Sequence, residues 1–134
     1  MYQRLYYHLI WTTVERTPLI DAGLAGFLCR LFRAIARDEG VRILEIGMVQ
    51  THVHLLIAAP LRTDWIRLIQ RLKGASSYVA NREGLAGQNG PLRWARGYSI
   101  HTVSPRAVES ARQYLASQPE RHPDEAIEGW EGDR

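Results

Sequence analysis

The sequence predicts an α+β domain in which an antiparallel sheet carries helices on one face and a further helix follows the last strand. Three observations predict it. Short branched and aromatic runs fall at 6–12, 41–49, 52–59 and 98–103; such runs favour the pleated, half-buried surface of a strand. Two intervening stretches instead space their apolar residues at the 3.6-residue period, and each begins at an aspartate. Between the second and third runs stand only Gln50 and Thr51, too short a link for anything but an antiparallel hairpin.

The elements follow in order. In YYHLIWT, Tyr7, Leu9 and Trp11 fall on one strand face and Tyr6, His8 and Ile10 on the other. Asp21 is placed to cap a helix with Leu24, Phe27, Leu28, Leu31 and Ile35 on its apolar stripe, and Gly40 ends it. VRILEIGMV and HVHLLIAA form the hairpin, closed by Pro60. Asp64 caps a second helix with Trp65, Leu68, Ile69, Leu72 and Val79 inward and Arg67, Arg71 and Lys73 toward solvent, ending near Asn81. GLAGQNG, at 84–90, reads as a flexible loop. YSIHTV is the fourth strand, and Ser104-Pro105 opens a third helix, a hydroxyl cap followed by proline at the first position, running to about Gln118. The order βαββαβ is the ferredoxin-like arrangement, with one sheet face left open.

At 134 residues the chain fits one domain. Hydrophobic residues at 46% and charged residues at 23% argue against disorder and fibrous repeats. The sequence divides into a single domain over 1–118 and an acidic C-terminal tail over 119–134, expected to be extended or disordered. That tail holds six acidic residues against Arg121 and Arg134, so the chain's 17 basic and 14 acidic residues leave 15 and 8 for the body. An arginine-rich body, with Lys73 its only lysine, suits a polyanion. No signal peptide is evident, and no apolar run approaches the ~20 residues that span a bilayer. A cytoplasmic, nucleoid-associated protein without membrane or nucleotide-cofactor partners is expected. Cys29, the sole cysteine, excludes an internal disulfide and reads as core packing.

THVHLLI places His52 and His54 on one strand face, about 6.6–7 Å apart at their Cα atoms, with Val53 directed to the core. Two imidazoles so spaced can share a cation, or can simply be hydrogen-bonded histidines on a half-wet sheet. On the last helix Tyr114 and Gln118, four residues apart, stack at the edge of the apolar face. There they can reach a site on the sheet, or can be an unremarkable boundary pair.

Taken with LKGASS (72–77), LRWARGYSIHTVS (92–104) and QYLASQ (113–118), these motifs in this order give a chain that resembles the single-tyrosine HUH transposases of small bacterial insertion sequences, including the group associated with repetitive extragenic palindromes. The resemblance implies His52, His54 and Gln118 as ligands of Mg2+ or Mn2+ and Tyr114 as catalytic nucleophile. It implies cleavage and rejoining of single-stranded DNA at hairpin-marked element ends through a 5′-phosphotyrosine. It also implies a homodimer whose tyrosine helix can serve either subunit's histidine pair. A tyrosine hydroxyl is only ~0.1% ionised at pH 7, so the nucleophile needs activation. Family members usually carry an acidic or amide residue before the paired histidines, where this chain has Thr51.

For the DNA itself, Arg4, Arg16, Lys73, Arg93 and Arg96 are candidates for the backbone, and Trp11, Trp94, Tyr2 and Tyr98 for stacking on bases. The alternative function is a domesticated single-stranded-DNA hairpin-binding protein without transposition activity. A two-histidine-motif phosphoesterase is disfavoured, because His101-Thr102 lacks the spacing of a second motif.

Overall fold

The computed structural model describes residues 4–133. Four antiparallel strands, β1 (Arg4–Thr12), β2 (Arg42–Val49), β3 (His52–Pro60) and β4 (Ser99–Val103), lie in the order β2-β3-β1-β4. Helices α1 (Ala22–Asp38) and α2 (Trp65–Arg82) connect them as expected, giving the ferredoxin-like α+β arrangement. Both aspartate caps form: Asp21 accepts from the Leu24 amide at 2.9 Å and Asp64 from the Arg67 amide at 3.0 Å. Gly40, at φ +75°, takes the left-handed turn that ends α1.

The main core lies between the helices and one sheet face, where Leu9, Trp11, Val53, Leu55 and Ile57 meet Leu24, Leu28, Phe32, Leu68 and Leu72. Phe27 and Leu31 are only partly buried, and Phe32 fills the centre; on α2, Ser76 and Ala80 rather than Val79 face inward. Arg67 and Arg71 are not idle on the surface of α2. Arg71 pairs with Asp38 and Glu39 at 2.6 Å each, and Arg67 with Glu39 at 3.2 Å, bracing the end of α1. Cys29 is buried in the core, as expected, and burial pushes its thiol up to about 12.

Strand pairing determines what the opposite face presents. Across β1 and β3, Ile10 pairs with His54 and Thr12 with His52; across β2 and β3, Gly47 pairs with His54; across β1 and β4, His8 pairs with His101. Paired residues share a face, so His8, His52, His54 and His101 all project away from the helices. The expected open face is half covered. A 3-10 turn at Pro105–Ala107 leads into α3 (Val108–Ala116), which packs over β2 and β3. Gly47 permits this approach, because a Cβ there would overlap the Leu115 carbonyl. The half over β1 and β4 remains open.

Three expectations about the C-terminal region are corrected. The third helix does not run unbroken to Gln118: α3 ends at Ala116, and a short α4 (Gln118–Arg121) begins after Ser117, with Pro119 in its first turn. Ser104 makes no side-chain capping bond, although Pro105 occupies the first turn as predicted. Residues 119–133 are neither extended nor idle. Ile127 is buried in the core and Trp130 packs beside it, and Arg33 binds Asp133 through its Nε at 2.6 Å. Two further bonds tie this segment to the β2–β3 turn: the Gln50 amide donates to the Glu125 carbonyl at 2.7 Å, and Gln50 Nε2 to the Ala126 carbonyl at 2.8 Å. Ile127 and Trp130 offer the apolar area that a charge count of the tail overlooks.

Candidate active site

His52 and His54 sit side by side on β3, each 5% exposed, with ring centroids 5.0 Å apart. Their burial against β1, β2 and the C-terminal helices is the first difference from a half-wet strand. Tyr114, on α3, stands above them with its ring 6.0 Å from that of His54 and 38% exposed. Gln118 is fully buried; its Nε2 donates to the Tyr114 carbonyl at 3.3 Å, leaving Oε1 without a protein partner. The four residues singled out in the sequence thus meet in one place.

Proton counting orients the imidazoles. The Thr51 hydroxyl donates its single proton to Glu125 Oε1 at 2.5 Å, and its oxygen lies 3.0 Å from His52 Nδ1. The Thr51 bond above all holds the Glu125 carboxyl below its usual range, and a carboxylate at neutral pH has no proton to return. Thr51 must therefore accept from His52 Nδ1–H, and His52 Nε2 keeps its lone pair. His54 Nδ1 lies 2.8 Å from His8 Nε2, while His54 Nε2 is buried with no partner. A proton on that Nε2 would be an orphaned buried donor. The favoured tautomer donates from Nδ1 to His8 and leaves Nε2 bare.

Three lone pairs, on His52 Nε2, His54 Nε2 and Gln118 Oε1, are therefore available in one buried place. Burial, followed by the neighbouring imidazoles, lowers His54 to about 3, and burial also lowers His52 and His8, so all three rings favour the neutral form. Gln118 acts on both His52 and His54 in the opposite sense. Among the described residues no group of three His, Cys, Asp or Glu side chains could hold a metal ion; the donor set requires the amide. His54 Nε2 and Gln118 Oε1, both buried without a protein partner, together with a neutral His52 ring suit a divalent cation.

Several residues around the site escaped the sequence reading. His8 supports His54, and Glu125 supports Thr51. His122 places its ring 5.3 Å from that of His52. The Arg121 guanidinium lies 4.6 Å from the Tyr114 ring centroid, anchored by Nε to Ser117 Oγ at 2.9 Å. Only His8 carried a local signal, since its alternation on β1 put it on the face opposite the core; the others lie in the segment read as tail.

The candidate DNA contacts divide. Arg16 and Arg93 flank the His52 end of the sheet, because Thr12 pairs with His52 and the Val14 amide donates to the Arg93 carbonyl at 2.9 Å. Arg16 has φ +53°, held by Thr13 Oγ1 to the Thr17 carbonyl at 2.6 Å and Thr17 Oγ1 to the Val14 carbonyl at 2.7 Å. Arg96 and exposed Tyr98 line a shallow cavity of about 210 Å3 beside Ile10 and Thr12, adjoining the site. Arg4 pairs with Pro60 at the far end of β1, roughly 26 Å from Thr12 at 3.3 Å per residue. Lys73 Nζ donates to the Ala95 and Gly97 carbonyls at 2.8 Å each, bracing the segment that carries Arg96. Trp11 and Trp94 are corrected as base platforms. Trp11 is 2% exposed and edge-on to Phe32 and Trp94, and Trp94 donates from Nε1 to Ser76 Oγ at 2.9 Å. Tyr2 lies outside the described residues.

A ferredoxin-like antiparallel sheet bearing paired histidines beneath a tyrosine helix fits the transposase class. The chain belongs to one family within it, the IS200-like transposases, whose family description, Transposase IS200 like, matches residues 1–118. It is 32% identical over 124 residues to the ISDra2 transposase TnpA of Deinococcus radiodurans, covering 88% of this chain and 86% of that one. It is 25% identical over 122 residues to the transposase for insertion sequence element IS200 of Salmonella typhimurium, covering 85% and 76%. A solved transposase structure from Deinococcus radiodurans superposes with a TM-score of 0.67 at 28% identity, covering 88% of this chain and 93% of that one. A REP-associated tyrosine transposase bound to a REP hairpin shares the fold with a TM-score of 0.67 at 14% identity, covering 91% and 71%.

Proposed function

We propose that the protein cleaves and rejoins single-stranded DNA at hairpin-marked element ends, with Tyr114 as nucleophile and a divalent cation, Mg2+ or Mn2+, held by His52, His54 and Gln118. The observation that carries this reading is the pair of buried, unpartnered acceptors beneath the tyrosine, His54 Nε2 and Gln118 Oε1. Such orphans are costly unless a ligand satisfies them. A cation held there supplies Lewis acidity, polarising the scissile phosphate and offsetting charge in the pentavalent transition state.

The chain's own residues do the rest. Tyr114 is exposed enough for its hydroxyl to meet a phosphate entering from the open half of the sheet. Its oxygen forms a bond to phosphorus as the phenolic proton leaves, and the bond to the 3′ oxygen breaks, with that oxygen gaining a proton. The 5′-phosphotyrosine retains the phosphodiester's energy, so a second strand's 3′-hydroxyl can reverse the step and join DNA without ATP. Arg121, stacked on the tyrosine ring, holds the ring in place and brings positive charge toward the incoming phosphate. Arg16, Arg93 and Arg96 are placed to follow the strand's backbone, and Tyr98 to stack on a base. A homodimer, as in the resemblance, is part of this proposal.

The test incubates the protein and Mn2+ with a labelled single-stranded oligonucleotide carrying the element's end. A covalent protein–DNA adduct is expected, absent in Tyr114→Phe and with chelator. An adduct that persists in Tyr114→Phe overturns the nucleophile. Binding of the hairpin without any wild-type adduct favours the domesticated binding protein.

A further inference from the structure

We propose that Glu125 is a positioning residue for His52, acting through the Thr51 hydroxyl, so that the segment after α4 is a working part of the candidate metal site. The inference rests on His52 being a ligand.

Four observations support it. The contacts form a continuous relay, His52 Nδ1 to Thr51 Oγ1 at 3.0 Å and Thr51 Oγ1 to Glu125 Oε1 at 2.5 Å. Every proton in that relay has one direction, as counted above, and the direction leaves Nε2 free to coordinate. The carboxylate is delivered by backbone rather than by a loose tail: Gln50 clamps the carbonyls of Glu125 and Ala126, and Ile127 is sunk in the core. Thr51 is equally constrained. Its carbonyl accepts from the Thr13 amide at 2.8 Å.

Outer partners of this kind orient ligating histidines and fix their tautomer. Here His54 has His8 for the purpose, and His52 would otherwise have none. Thr51 itself carries no charge. It becomes an effective partner because it passes the carboxylate of a residue 74 positions away to the ring, with its own hydroxyl as the link.

Two readouts test the proposal in wild type, Thr51→Val, Thr51→Ser and Glu125→Ala. The first is the His52 ring tautomer in metal-free protein, from 15N NMR of the imidazole nitrogens. The second is Mn2+ affinity by paramagnetic titration. Wild type and Thr51→Ser should hold His52 as the Nδ1–H tautomer. Thr51→Val and Glu125→Ala should mix the tautomers and weaken Mn2+ by about 10–100-fold. Thr51→Val preserves side-chain volume, so it remains informative if Glu125→Ala loosens the C-terminal segment. Unchanged tautomer and Mn2+ affinity in both variants overturn the positioning role while leaving the metal reading intact. Altered tautomer in a protein whose wild type binds no Mn2+ keeps the relay to His52 but overturns the metal reading, and with it the segment's part in a metal site.

Discussion

Replacing Gly47 with alanine should separate packing from chemistry at the place where α3 crosses the sheet. Gly47 lies opposite His54, and an added Cβ there would overlap the carbonyl oxygen of Leu115, the residue after Tyr114. That oxygen is backbone and cannot rotate aside, so the helix must retreat by on the order of 1 Å in a close-packed region. Overpacking of this kind costs about 1–3 kcal/mol, or roughly 3–10 °C of Tm at this chain length. Because Tyr114 rides on the same turn, its hydroxyl moves from the histidine pair by a similar amount, which is worth roughly 100-fold in rate. Thermal unfolding and the initial rate of adduct formation measure the two effects. Gly74→Ala is the control: it lies inside α2, no heavy atom lies within 4 Å of its added Cβ, and relief of glycine's entropy cost should stabilise by about 0.5–1 kcal/mol. A Gly47→Ala protein with unchanged Tm and adduct rate refutes the close-approach reasoning.

Two further outcomes follow from the same region. Burial first, then the neighbouring imidazoles, lowers His54 from 6.5 to about 3, so between those values the unfolded chain takes up a proton that the folded one refuses. The stabilising effect is fully present above pH 6.5 and is lost as pH falls toward 3, at up to about 1.4 kcal/mol per unit. Urea midpoints of chelator-treated wild type and His54→Gln at pH 7, 5.5 and 4.5 should converge toward acid; parallel curves contradict the shift. Ile127→Ala should cost about 2–4 kcal/mol of local stability. It should speed exchange of the Gln50 amide, which donates to Glu125, while leaving β3 protected, and an unchanged Gln50 amide argues against Ile127 as the anchor.

The elements were legible because their signals are local. Asp21 and Asp64 announce caps within three residues, and alternation placed His52 and His54 on one face with Val53 in the core. The Tyr114–Gln118 pair was legible as a spacing, although the chain achieves it across a helix break at Ser117. Trp11 and Trp94 are not base platforms: alternation put Trp11 on the face of Leu9, which the helices cover, and Trp94 is held by its bond to Ser76.

What the sequence by itself determined is therefore the set of strands and helices, the faces of their side chains and, through motif order, the family. The tertiary structure alone decided how that face became a site. Strand register brought His8 diagonally against His54, and the docking of Ile127 and Trp130 carried Glu125 to Thr51. Both depend on contacts between residues far apart in the chain, which leave no period or spacing to read. Thr51, an incidental-looking threonine in THVHLLI, acquires its carboxylate only when the C-terminal segment folds back onto the turn beside it.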